Sequence, residues 1–372
     1  MKLNRRFKSI SPSRAQGFTL IEVMVAVAIG VFISILVQRS MISTLVAQRH
    51  TSTSNNAQDG GALAGLMLSR AIESSGFGLN KTQLIGCEAL GNGYKYRLSP
   101  VEIIPGDSSD TILINAASPG VRFSASLLSS NTNLSVKADE GFRNNDLIVL
   151  DTDFSKAKTA TDTVKTCLLA RITDVNSGKF ELLDNSKIIA GDANTLGQTR
   201  GYRLGQAGDS QPPALEAYRV VNNKLERCNR LATPACANDA DWRMILENVV
   251  HLRAYYGIDT DGNLSIDTWR QEMPVGSANP PAKGAVSAVS KMETTYAPSN
   301  PTADNWVRTL AVRFALVVKA DKRQPYPQED LAPEKISLWQ DGPDYKIPDR
   351  NYRYQVHEYL VPLRNISWRP AD

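Results

Sequence analysis

From Phe18 to Val37 the chain runs for twenty residues in which only Thr19, Glu22 and Ser34 are polar. At about 1.5 Å rise per residue, a helix of that length spans roughly 30 Å, the thickness of a bilayer's hydrocarbon core. Lys2, Arg5, Arg6, Lys8 and Arg14 precede the run, with no acidic residue among them. Three readings compete. A buried core helix seldom runs so far without a polar face. A secretory signal removed after its apolar region would need small residues at the far end, and Val37-Gln38-Arg39 is no such site. A membrane helix kept in the mature chain meets neither objection. Its basic flank holds the N-terminal end in the cytoplasm and sends the rest outward.

Glu22 is the anomaly in this run. An ionised carboxylate in a membrane helix costs on the order of 2.5–3.5 kcal/mol on insertion scales, and such groups usually have a partner. One reading leaves Glu22 near the interface, snorkelling or protonated. The other needs a cation at the same depth, and the run contains none. A cut between Gly17 and Phe18 would create one, a free amine at the head of the helix. Glu22 cannot easily serve the amine of its own first turn, where free backbone N–H groups compete for it. The amine of a neighbouring chain, offset along the axis, can be served, and that geometry requires such helices to pack side by side.

The stretch Arg14-Ala15-Gln16-Gly17-Phe18-Thr19-Leu20-Ile21-Glu22-Val23-Met24-Val25 closely resembles the class III signal of type IV pilins and type II secretion pseudopilins. The resemblance implies that a prepilin peptidase cuts after Gly17 and methylates the new amine of Phe18. It implies that Glu22 pairs with a neighbour's N-terminus during assembly. Its implied partners are other minor pilins, the major pilin and the inner-membrane assembly machinery, with membrane lipid around the helix beforehand. Many major pilins bend the helix with a proline soon after the apolar run; here the sequence reads Val37-Gln38-Arg39-Ser40.

The chain has 372 residues, enough for two average domains or one large one. Its net charge of +4 is more than accounted for by the five leader cations, so it is a topology signal and not a nucleic-acid footprint. Cys87, Cys167, Cys228 and Cys236 all lie beyond the membrane run, on the side expected to be oxidising. An even count there favours two disulfides, with Cys228–Cys236 the first choice by proximity and Cys87–Cys167 by default. Zinc is the rival, disfavoured by the lack of any C-x-x-C pair and by only three histidines.

After the run the helix is expected to continue from Gln38 to about Ser75, with a kink or break at Gly60-Gly61 and Gly76 as its C-cap. Leu63, Ala64, Met67, Leu68 and Ala71 mark one face at helical spacing. Strand signals follow at 110–115, 146–151, 167–172, 179–183, 215–221, 224–228, 249–258, 308–319 and 352–361. The Asn222-Asn223 pair marks a hairpin. Stretches 124–136, 190–213, 274–305 and 321–350 read as surface loops. The helix end Leu68–Gly78, the stretch 252–262 and Leu363-Arg364-Asn365 are similar to the minor pilin family called PilW; the last also resembles J-type pseudopilins.

Asp259, Asp261, Asn263 and Asp267 offer oxygens at alternating positions, as in a calcium loop. Leu264 stands where such a loop needs Gly, and Arg270 where it needs a closing Glu. The competing reading is a tight turn. Arg350, Arg353, Arg364 and Arg369 interleave with aromatics near the C-terminus, a pattern that binds single strands or simply covers a solvated strand pair. No G-x-S-x-G, H-E-x-x-H or phosphate loop is present, so no catalytic set is assigned.

The expected protein is α+β: a leader at 1–17, a pilin helix at 18–76 with 18–37 in the membrane, and a β-rich periplasmic head at 77–372. The expected work is assembly without a cofactor, in a low-copy subunit that helps prime a type IV pilus at or near its tip. A J-type pseudopilin of a type II secretion system is the first alternative. A membrane-anchored DNA-uptake receptor or periplasmic enzyme is the second.

Overall fold

The computed structural model describes residues 19–79, 84–85, 87–91, 94–118, 125–130, 133–135, 141–151, 166–183, 200–208, 212–233, 236–271, 306, 308–323 and 332–367. The leader, Gly17 and Phe18 lie outside the described residues, as do Trp368, Arg369 and the stretch 274–305. The chain divides into two compact units, Met1–Thr53 and Ser54–Asp372. Helix α1 (Leu20–Ser74) contributes to both.

In the first unit, Leu20–Ile42 is long and apolar enough to cross a bilayer. Ser34 Oγ donates to the Gly30 carbonyl at 2.8 Å and Thr44 Oγ1 to the Ser40 carbonyl at 2.9 Å. A hydroxyl that bonds one turn back in this way needs no water.

The second unit adds nineteen strands among the described residues. They begin with β1 (Glu88–Gly91), β2 (Tyr94–Arg97), β3 (Val101–Ile104), β4 (Thr111–Ala116), β5 (Ala125–Ser130), β6 (Asn133–Ser135) and β7 (Leu147–Asp151). Next come β8 (Thr166–Asp174), β9 (Lys179–Leu182), β10 (Arg200–Gly205), β11 (Ala214–Val221), β12 (Lys224–Asn229) and β13 (Trp242–Glu247). The last are β14 (Val249–Ile258), β15 (Thr268–Arg270), β16 (Thr309–Lys319), β17 (Lys335–Ser337), β18 (Asp344–Lys346) and β19 (Tyr354–Pro362), before a short helix α2 (Arg364–Ser367).

The strands form sheets in the orders β2-β1-β8-β7-β10-β5-β6-β9, β13-β12-β11-β4-β3 and β15-β14-β16-β19, plus the hairpin β17-β18. In the largest sheet β9 pairs with both β6 and β8, which closes six of its strands into a ring. The pairings are antiparallel except β1 with β8. Asn222 and Asn223, at φ 51° and 59°, make the β11–β12 turn, the mirror-image turn that suits strand twist and that asparagine tolerates. Strands β5, β6 and β10 and the hairpin β17–β18 occupy stretches expected to be loops.

The core of this unit lies under the second half of α1. Ala57, Ala64, Leu68 and Ile72 pack against residues of β3, β4, β14, β16 and β19 and against Ile366 of α2. The expected break at Gly60-Gly61 does not occur; α1 is helical through both. A Cβ at Gly60 would lie 3.0 Å from Leu246 Cδ1, one at Gly61 would overlap the His357 ring, and one at Gly65 the Tyr359 ring. These glycines let the strands approach the helix backbone, and packing offsets their poor helix propensity. Gly65→Ala is therefore expected to destabilise the head, although alanine gains up to about 1 kcal/mol in propensity. Overpacking costs about 1–3 kcal/mol, and a lowered urea midpoint would show it.

Strand β16 is buried on both faces, where its alternation reads as one apolar face. Val312, Phe314 and Leu316 join the core beneath α1. Ala315 and Val317 lie under Leu338 and Trp339, which come from the stretch expected to be a loop.

Candidate functional site

At the start of α1, Glu22 is folded back onto its own first turn. The Thr19 amide and the Thr19 hydroxyl each donate to Glu22 Oε2 at 3.2 Å, and the Glu22 amide donates to Thr19 Oγ1 at 3.3 Å. This is a capping box, in which a Thr side chain and a Glu three residues on satisfy two of the helix's orphan donors. Its signature T-x-x-E stands in the sequence, and Thr19 joins Glu22 in the candidate site. Among the described residues the carboxylate thus has polar partners and no cation. Both described donors fall on Oε2.

At its other end α1 is capped by the head. Gly76 sits at φ 74°, and its amide donates to the Asn115 carbonyl at 2.9 Å. Asn365 Nδ2 donates to the Glu73 and Ser75 carbonyls at 2.9 and 3.1 Å, satisfying acceptors that a helix end leaves open. The Tyr359 hydroxyl donates to the Ala62 carbonyl at 3.0 Å.

Asp110, between β3 and β4, carries no motif in the sequence, yet it ties two sheets together. Its carboxylate accepts from Arg253 Nη1 at 2.9 Å, from the Ala254 amide at 2.8 Å, from Gln271 Nε2 at 2.8 Å and from the Gly106 amide at 3.2 Å. Its own amide donates to the Leu252 carbonyl at 2.8 Å. Burial raises its pKa above the usual carboxylate range; Arg253 and the N–H donors act the other way.

Nearby, buried His251 meets the Ser108 carbonyl through Nδ1 at 2.5 Å, and its ring lies 4.8 Å from that of Tyr345. Burial, with Arg253 adding to it, depresses its pKa from 6.5 to about 4. The unfolded chain therefore binds the proton more readily, and the stability His251 contributes is complete above pH 6.5 and lost as pH falls towards 4. The expected loss is on the order of 3 kcal/mol between pH 7 and pH 4. His357, lowered by burial against α1, adds a loss of the same sign. Asp110, raised, works in the opposite direction near the acid end of this window. Urea unfolding at pH 7 and pH 4.5 should show a drop that His251→Gln shrinks.

Cys87–Cys167 and Cys228–Cys236 are both disulfides in the structure. The first lies in a core with Leu98 and Leu169, and the second packs on Leu113 and Trp242. The acidic loop closes the β14–β15 turn. Carboxylate oxygens of Asp259, Asp261 and Asp267 lie within 4.8 Å of one another. They already accept from the loop: Asp259 from the Gly262 and Leu264 amides at 2.6 and 2.9 Å, Asp267 from the Thr260 amide and hydroxyl at 2.7 Å, and Asp261 from Asn263. Those Thr260 donors hold the Asp267 carboxyl below the usual range. Asn263 uses its side-chain oxygen to accept from the Ser265 amide at 2.7 Å. These are the bonds of a self-satisfied turn, with Gly262 and Leu264 at positive φ.

Two family models match the chain. Residues 12–37 match the prokaryotic N-terminal methylation motif, and residues 218–365 match the type IV pilus-assembly protein W family, PilW. Residues 218–365 are therefore similar to the PilW minor pilin family, and the start of the chain carries the methylation motif of type IV pilins. The PilW match runs from β11 to α2 and so contains Asn365, Tyr359 and Arg253. No curated relative matches the chain. Among solved structures, a type IV-like pilin from Thermus thermophilus is 11% identical, with 84% of this chain and 98% of that one covered and a TM-score of 0.33. A score that low carries no argument about this chain.

Proposed function

We propose that this minor pilin helps prime pilus assembly in or near the tip complex, as a low-copy subunit held in the inner membrane with its head in the periplasm. Prepilin peptidase cuts between Gly17 and Phe18 and methylates the Phe18 amine. Glu22 then leaves Thr19 for the amine of a neighbouring subunit, and the apolar helices bundle. The observation that carries this reading is the capping box at the head of the apolar run. It keeps a carboxylate available in lipid without a cation, in the segment that matches the methylation motif. Exchanging neutral donors for a charged amine adds the attraction of opposite charges, which is strong in a low-dielectric surrounding.

The proposed work is assembly and not catalysis, and its partners are other minor pilins, the major pilin and the assembly machinery. The large head suits a subunit made in few copies. No cofactor enters this reading, and the loop of Asp259, Asp261, Asn263 and Asp267 acts in it as a turn and not as a calcium site. Mass spectrometry of the chain recovered from membranes should find N-methylated Phe18 as the first residue. Met1, or a residue beyond Val37, at that position would end the account. Deletion should remove surface pili; a secretion defect with pili intact would favour the J-type pseudopilin instead.

A further inference from the structure

We propose that the open edge of β19 takes an extended segment of a partner chain as an added strand. The Ala320 amide donates to the Arg353 carbonyl and the Leu363 amide to the Leu310 carbonyl, each at 2.9 Å, at the two ends of the β16–β19 register. In an antiparallel ladder the residues that exchange bonds alternate. Gln355, His357, Tyr359 and Val361 therefore turn their backbone groups to β16. Tyr354, Val356, Glu358 and Leu360 turn theirs outward. Among the described residues no strand pairs with that side.

Proteins blunt such edges with bulges, lysines, prolines or short strands. The edge strand β15 has three residues, and the edge strand β13 meets β12 with a register shift. Strand β19 has none of these devices. Its nine pairs with β16 run without a shift, it carries no Lys or Arg, and its Pro is the last residue. Pro362, which lacks an N–H, marks where the open edge stops.

The surroundings suit an apolar strand. On the outer face Tyr354 and Val356 are packed by the Leu338–Trp339 segment, while Leu360 is 59% exposed. On the inner side Tyr359 reaches the Ala62 carbonyl, and Leu66, one helical turn on, is 45% exposed. A strand laid along Val356–Leu360 completes the backbone ladder and covers both leucines, as in strand addition to a sheet edge. Its occupant is a short, proline-free segment with apolar side chains on both faces. Resting on the minor-pilin reading, that segment belongs to another pilin chain in the same complex.

Hydrogen–deuterium exchange of the full chain, alone in detergent and in the complex extracted from membranes, tests this. The Val356, Glu358 and Leu360 amides should exchange freely in the isolated chain and be slowed by more than about tenfold in the complex. Equal exchange in both states overturns the proposal, and so does protection already present in the isolated chain. Glu358→Pro removes one outward donor and leaves the β16 ladder intact. It should lower recovery in the complex by about tenfold, the worth of one lost bond, whereas Glu358→Gln, which also loses the ion pair with Arg313, should not. Full recovery of Glu358→Pro overturns the proposal; if that variant does not fold, the exchange result decides. An unprocessed N-terminus together with a protected edge would sink the pilin reading and leave the strand addition standing.

Discussion

Glu22→Leu is expected to leave the chain processed, membrane-anchored and folded in its head, and to deplete filaments of this subunit. Removing one partner of a desolvated charge pair costs about 2–5 kcal/mol, so incorporation should fall by about thirtyfold or more. The substitution also removes the cap on Thr19, worth about 1 kcal/mol in helix stability. Thr19→Ala separates the two effects, because it loses the hydroxyl and keeps the carboxylate. That variant should still enter filaments. The measurement is the amount of subunit in sheared pili relative to membranes. Glu22→Leu recovered at the wild-type ratio would remove the paired-charge account, and equal losses in both variants would assign the effect to the cap.

Asp110→Ala should cost the head about 3–5 kcal/mol, the usual result of breaking a buried ion pair from one side. It leaves Arg253 without its anion and takes the acceptor from the Gly106 and Ala254 amides and from Gln271. Because Asp110 joins the β3–β4 connection to β14, the loss should appear as a lower urea midpoint for the whole head and not as local fraying. Asp110→Asn retains one acceptor oxygen and should lose less. A midpoint unchanged in Asp110→Ala would show that the two sheets are held together by apolar packing alone.

The N-terminal signal was legible because everything that defines it lies in a dozen consecutive residues. Strands β4, β7, β11, β14 and β16 were legible for a similar reason, since each is a run of branched or aromatic side chains. Strand β5, with three serines, and β10, with two glycines, have little intrinsic preference. They are strands because β7 offers β10 a ladder, and β10 offers one to β5. Gly60 and Gly61 read as breakers because propensity is local, while the Leu246 and His357 side chains that need the space come from far along the chain. Asp110 had no signal at all: its partners Arg253, Ala254 and Gln271 are more than a hundred residues away in sequence. Thr19 does have a local signal, T-x-x-E, because its cap is built from residues only three apart.

The clasp of Asn365 on the Glu73 and Ser75 carbonyls has a consequence for biogenesis. The residue that finishes one end of α1 is translated 290 residues after Ser75. At about 5–20 residues per second, roughly 15–60 s pass between the synthesis of Ser75 and that of Asn365. For most of that interval the apolar stripe of Ala64, Leu68 and Ile72 lacks β16, and to its end it lacks β19 and α2 in full. A chain still lacking β19 and α2 therefore presents apolar surface that the finished head conceals, the kind of surface that makes folding intermediates prone to aggregate.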